Sequence, residues 1–172
     1  FIFNLLVKNA DKEKKAVELE NAFLTRDAKT LSDTLRGVLT GVPASLHPPD
    51  FKSLDNELKT SWNENYCNTI FLIYFRGLAI DVRPKAPGSM GNPDLTLFLK
   101  DQTKALIETK RQKDVGQNDV PFTLNKVAND ALKTIIDKKY GQQYRLQGDK
   151  VVTVGLGVVN QVYVHAIFGD DS

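Results

Sequence analysis

At 172 residues the chain can bury one substantial core but is too short for two ordinary domains. Its 41% apolar and 26% charged residues are those of an average globular protein, and a net charge of +2 excludes a strongly basic nucleic-acid binder. Any attraction for phosphate must therefore come from a local patch.

Residues 1–40 read as helical. Asp11 is placed to cap a first helix in which Ala16, Val17, Leu19, Ala22 and Phe23 fall on one side. After Asp27, Leu31, Leu35, Val38 and Leu39 mark a second amphipathic helix that ends at Gly41 and Pro43; the stretch to Pro48-Pro49 is a loop. A third helix, over about 54–76, carries a stripe of Leu58, Trp62, Tyr66, Ile70 and Ile73 and stops at Gly77. Because residues 70–75 are apolar all round, this half is expected to be the central buried helix. The single cysteine, Cys67, lies in this helix without the cysteine and histidine clustering of a zinc site. It rules out an internal disulfide and reads as buried filler.

The periodicity then changes. Residues 78–82 suit a strand, and 83–91 are rich in proline and glycine. Leu95, Leu97 and Leu99 alternate with Asp94, Thr96 and Phe98, which makes a strand with two distinct faces. Asp101-Gln102 is turn-like and residues 104–110 form a second strand, so the two make a hairpin. Residues 111–122 read as a polar loop. Leu124, Val127, Ala128, Ala131, Leu132 and Ile135 then define the strongest amphipathic helix, with Lys138 and Lys139 in its last turn and Gly141 just beyond. Residues 151–156 and 162–168 are the last two strands. The order of helices, three strands, helix and two strands predicts an α/β domain with a mixed sheet and helices packed on its faces.

A hairpin turning about Asp101 sets Asp94 opposite Glu108, with Cβ atoms about 5 Å apart. Lys110, two residues beyond Glu108, shares its face. Two carboxylates this close repel each other, and a hard divalent cation such as Mg²⁺ resolves the conflict by taking carboxylate oxygens together with waters and substrate phosphates. A protonated lysine beside the ion is no ligand, but it can orient a bound water or offset charge on a phosphate. Together these groups suit hydrolysis of a phosphodiester.

The stretch Gly91-Asn92-Pro93-Asp94, an apolar strand, a turn and Ile107-Glu108-Thr109-Lys110 resembles the signature of the PD-(D/E)XK nuclease superfamily. Further segments are similar, in order, to the branch often attached to AAA-ATPase-like proteins. They are residues 22–27, Gly41-Val42-Pro43, Asn63-Glu64-Asn65-Tyr66, Gly77 before a strand, Asp130-Ala131-Leu132, Lys138-Lys139-Tyr140, Tyr144 and residues 150–155. The resemblance runs from about residue 17 to 168, and it rests on the order of these motifs.

The resemblance implies a restriction-endonuclease-like domain spanning 1–172, with an N-terminal helical part (1–50) and a nuclease core (51–172). It implies Mg²⁺ or Mn²⁺ bound by Asp94 and Glu108, with the Thr109 carbonyl as a further ligand, and Lys110 acting on the attacking water. Glu64 matches the acidic residue on the helix before the core sheet. Thr134 stands where the branch carries glutamine, and residues 111–122 are longer than usual. Lys104, Arg111 and Lys113 flank the second hairpin strand, and Lys126 and Lys133 share the polar side of the following helix. These five are the candidate contacts to a nucleic-acid backbone, DNA before RNA. His47 and His165 have no identifiable partner and carry no proposed chemistry.

With no bilayer-spanning apolar run and no signal peptide visible, no membrane is expected. The chain opens at Phe1. The expectation is a module cut from a larger protein, as related modules occur in multidomain bacterial toxins and effectors, and one acting inside a cell. Some related copies lack the catalytic triad, so the alternative is an inactive nuclease-fold module that binds protein or nucleic acid.

Overall fold

The computed structural model describes residues 11–42, 56–86 and 90–170, with side chains from residue 66 onward in the second segment. Helix α1 (Lys12–Leu24) buries Leu19, Ala22 and Phe23. Val17, expected on that side, is half exposed. Two residues of helix turn it roughly 200° from Leu19. Asp11 occupies the cap position, but its side chain accepts no capping hydrogen bond. The real cap is at Asp27. Its carboxylate accepts the Thr30 backbone N–H at 3.0 Å and the Thr30 hydroxyl at 2.6 Å, starting α2 (Ala28–Thr40). Leu31, Leu35, Val38 and Leu39 are buried, as their spacing predicts.

In α3 (Asn56–Gly77) the buried residues among those with described side chains are Cys67, Ile70, Phe71, Tyr74 and Phe75. They form an i, i+3, i+4, i+7, i+8 stripe. Ile73 is only half-buried, and Leu58 and Trp62 have side chains outside the described residues. Cys67 is fully buried and forms no disulfide. The helix does not hand over directly to a strand. Ala79, not Gly77, takes the left-handed conformation (φ 59°), and the Ile80 N–H returns to the Phe75 carbonyl. Strand β1 (Asp81–Pro84) therefore begins three residues later than expected.

The other strands are β2 (Leu95–Phe98), β3 (Thr103–Gln112), β4 (Lys150–Val159) and β5 (Tyr163–Phe168). They form one five-stranded sheet in sequence order. Only β3 and β4 are parallel; the other neighbours are antiparallel. The sheet is mixed, as expected. Leu95 faces Ile107 and Phe98 faces Lys104, which is the register of a hairpin turning about Asp101. Asp101 and Gln102 both take positive φ in that turn. A parallel pair needs a long crossover, supplied by α4 (Val120–Asp137) and the short α5 (Gln142–Leu146).

The alternation of β2 and β3 divides the two faces of the sheet. Leu95, Leu97, Ala105 and Ile107 join Val152, Val154, Leu156 and Val158 in one core with α1, α2 and α3. The N-terminal helices thus share the core of the sheet. Helix α4 covers the opposite face. It begins at Val120 inside the expected loop, buries Val127, Ala128, Ala131 and Ile135, and leaves Leu124 and Leu132 half-buried. Lys138 and Lys139 lie past its end rather than in its last turn. Lys139 is left-handed, and the Tyr140 N–H closes onto the Ile135 carbonyl at 3.0 Å.

Strand β4 continues past Leu156 through Gly157 to Val159, and Asn160 and Gln161, both at positive φ, turn the chain into β5. No helix among the described residues is long and apolar enough to cross a membrane.

Candidate metal centre and its surroundings

Asp94 stands one residue before β2, in register with Glu108 of β3. The ladder stops here and side chains take over its hydrogen bonds. The Asp94 N–H donates to Glu108 Oε2 at 3.2 Å, and the Thr109 N–H donates to Asp94 Oδ2 at 2.9 Å. Each carboxylate thus satisfies a main-chain donor of the opposite strand. On its other side the Asp94 carbonyl accepts the Lys85 N–H at 3.0 Å, which ties the residue to the end of β1. The second oxygens, Asp94 Oδ1 and Glu108 Oε1, engage no hydrogen bond among the described residues.

Glu108 is buried, at 5% exposure. On β4, Gly155 lies beside Glu108 and Gly157 beside Lys110. A Cβ on Gly155 would run into the Ala128 carbonyl and stand 2.6 Å from the Leu132 nitrogen. Helix α4 therefore rests directly on the sheet next to the acidic pair. Burial, and then repulsion from Asp94, push the Glu108 carboxyl from its usual 4.5 up to about 7, against the pull of Lys110, the Asp94 N–H and Lys85. Such a pair is costly as two bare anions. It suits a hard cation, which neutralises both and takes the remaining oxygens. Among the described residues no group of three or more His, Cys, Asp or Glu converges, so an ion here would complete its shell with main-chain oxygen, water or phosphate. The donor set fits Mg²⁺ or Mn²⁺, which need only one or two carboxylates.

Lys110 shares the face of Glu108 through the two-residue period and is half-buried. Thr109 points its side chain the other way, where its hydroxyl donates to Asn68 Oδ1 on α3 at 2.8 Å. Glu64 lies on α3 one turn before Asn68, and its side chain falls outside the described residues.

The five expected nucleic-acid contacts are spread out. Lys104 is at the turn end of the hairpin, four residues and roughly 13 Å along β3 from Glu108. It packs over the Phe98 ring and pairs with Asp149 at 3.7 Å. Arg111 shares the Thr109 face, not the Glu108 face. Its guanidinium nitrogens are buried near enough to the Tyr66 phenol to offset part of the rise that burial imposes on it. Lys113 follows the end of β3 and is half-buried. Lys126 pairs with Asp130 at 3.2 Å and Lys133 with Asp137, both on the exposed side of α4. Thr134, in the position where the resemblance implies glutamine, bonds its hydroxyl to the Asp130 carbonyl at 3.1 Å. His165 lies on β5 opposite Gly157 and is half-buried.

Sequence reading did not find Asn68, Lys85 or the glycines of β4. Asn68 left a faint signal, as an amide between Cys67 and Ile70 in an apolar helix; Lys85, in a proline-rich stretch, left none. Comparison with family models, curated proteins and solved structures gives no match.

Proposed function

We propose that this chain is a metal-dependent nuclease of the PD-(D/E)XK, restriction-endonuclease-like type, hydrolysing phosphodiester bonds of DNA in preference to RNA. The observation that carries the reading is the pair formed by Asp94 and Glu108, hydrogen-bonded across one hairpin, with Lys110 on the same face. Asp94 and Glu108 would hold Mg²⁺ or Mn²⁺, and the Thr109 carbonyl is a further candidate oxygen. The bound ion supplies Lewis-acid stabilisation of the phosphate. Lys110 orients the attacking water and offsets negative charge on the phosphate as it builds. Exposed i, i+4 ion pairs such as Lys126–Asp130 and Lys133–Asp137 contribute only about 0.3–0.5 kcal/mol. Both lysines can therefore exchange their aspartates for a nucleic-acid backbone.

The second reading is a nuclease-fold module that binds without cutting. One observation favours it: Lys104, Lys126 and Lys133 have carboxylate partners, and the Arg111 guanidinium is buried. A plasmid assay separates the two. With Mg²⁺ or Mn²⁺ the chain is expected to nick or linearise DNA, a chelator is expected to stop it, and Asp94→Ala and Lys110→Ala are each expected to lose at least about 100-fold in rate. Unchanged cleavage in both variants would overturn the assignment. Binding with no cleavage under any divalent ion would establish the second reading.

A further inference from the structure

Thr109 sits between the two residues proposed for the chemistry, yet its side chain belongs to the opposite face of the sheet. It is 1% exposed, in a core where Ala105 and Ile107 of the same strand face and Leu156 of β4 are apolar. A hydroxyl buried in such a place is unfavourable unless it is hydrogen-bonded. The Thr109 hydroxyl donates to Asn68 Oδ1 at 2.8 Å. Asn68 is itself out of place by local rules, since asparagine is a poor helix former and its neighbours Cys67, Ile70 and Phe71 are buried apolar residues. Alanine in helix α3 and valine in strand β3 would suit both elements better. Residues that break local rules in mutual contact point to a site.

The second anchor of Thr109 is its backbone. Its N–H donates to Asp94 Oδ2 at 2.9 Å instead of to a main-chain carbonyl. Residue 109 is therefore held from two sides, by α3 through its hydroxyl and by the Asp94 carboxylate through its amide. Glu108 and Lys110, its chain neighbours, cannot shift relative to Asp94 without breaking one of the two bonds.

We propose that Asn68 is a positioning residue for the acidic pair: by holding the Thr109 hydroxyl it fixes the Thr109 amide on Asp94, and with it the distance between the Asp94 and Glu108 carboxylates. The geometry stands alone, while its consequence for an ion rests on the metal-centre reading above. A ligand carboxylate whose orienting partner is lost binds its metal about 10- to 100-fold more weakly.

Three variants of the full chain test this: Asn68→Ala, Thr109→Val and Thr109→Ser. Two measurements are made on each, hydrogen exchange of the residue-109 amide in metal-free protein and Mn²⁺ binding by titration calorimetry. Asn68→Ala and Thr109→Val are expected to speed exchange at residue 109 at least tenfold relative to the residue-107 amide, and to weaken Mn²⁺ binding by about tenfold. Thr109→Ser, which keeps the hydroxyl, is expected to stay within about twofold of wild type in both. A wholly structural contact would lower the melting temperature and leave Mn²⁺ affinity and the residue-109 to residue-107 exchange ratio unchanged. That result overturns the inference while the metal centre stands. Failure of the wild-type chain to bind Mn²⁺ overturns the metal centre itself and, with it, the role of Asn68 there. Should Asn68→Ala not fold, Thr109→Val decides, because it removes only the hydroxyl and keeps the shape.

Discussion

Replacing Glu108 by glutamine is expected to stabilise the metal-free protein at pH 8 by up to about 3 kcal/mol, and to remove its Mn²⁺ affinity. The reason is the direction of the Glu108 shift. In the folded state burial and Asp94 raise its carboxyl from the usual 4.5 to about 7. Below pH 4.5 the group is neutral in both folded and unfolded chains and contributes no penalty. As pH rises from 4.5 to 7 the unfolded chain gives up the proton and the folded chain resists, so stability falls. Above 7 the whole penalty is present. Glutamine has no proton to lose and can still accept the Asp94 N–H. Its benefit should therefore be large at pH 8 and below about 0.5 kcal/mol at pH 4.5. Denaturant unfolding at the two pH values, with a chelator present, reads this directly. An equal gain at both, or a loss at pH 8, would mean that Glu108 is not held in a costly ionised state. Residues kept against stability are the mark of a working site.

The second large effect lies on β4. Gly155→Ala is expected to destabilise the fold by about 3 kcal/mol or more, at the upper end of what overpacking costs. The added Cβ would meet the Ala128 carbonyl, the Leu132 nitrogen at 2.6 Å and the Leu132 Cβ at 2.9 Å. Two of these are backbone, so only displacement of α4 relieves the clash. Gly157→Ala meets the Leu124 carbonyl at 2.6 Å and the Ala128 nitrogen at 2.9 Å, with the same expected sign. Gly37 in α2 is the control. Nothing lies within 4 Å of a Cβ there, and the same substitution inside an open helix is expected to stabilise by roughly 0.5–1 kcal/mol. Urea unfolding of the variants compares them. If Gly155→Ala proved as stable as Gly37→Ala, α4 would not be seated on β4 as described.

The acidic pair was legible in the sequence because a hairpin is a local object. Alternation over residues 94–99 and a polar turn at Asp101-Gln102 were enough to set the register, and with it the partner of Asp94. The two helices between residues 12 and 40 were legible for a similar reason, though the cap at Asp11 and the place of Val17 were not, and residues 1–10 of the expected helical stretch lie outside the described residues. Whether a cap forms depends on a carboxylate reaching an amide, which periodicity does not record.

Long-range contacts were harder to read. The sequence reads β4 as ending at Leu156, before Gly157, whereas the strand runs on to Val159; the close seat of α4 is what makes glycine suitable at 155 and 157. Helix α5 is five residues long, too short to show a period. Charge alone marks Arg111 as a phosphate contact, whereas strand alternation turns it to the face away from Glu108. The Asn68–Thr109 bond spans 41 residues, and the faint signal of an amide in an apolar helix does not name its partner.

The topology also bears on how fast each part of the molecule comes together. Asp94 and Glu108 are 14 positions apart, inside one hairpin, whereas β3 meets β4 only after the chain has traversed α4 and α5. Closing the shorter loop costs less entropy, and hairpins form within microseconds. The electrostatic conflict between the carboxylates is thus present early in folding. Burial, the larger part of the Glu108 penalty, arrives only when the helix that shields the pair docks, so relief of that penalty and changes beneath α4 are both expected to act mainly on the rate of unfolding.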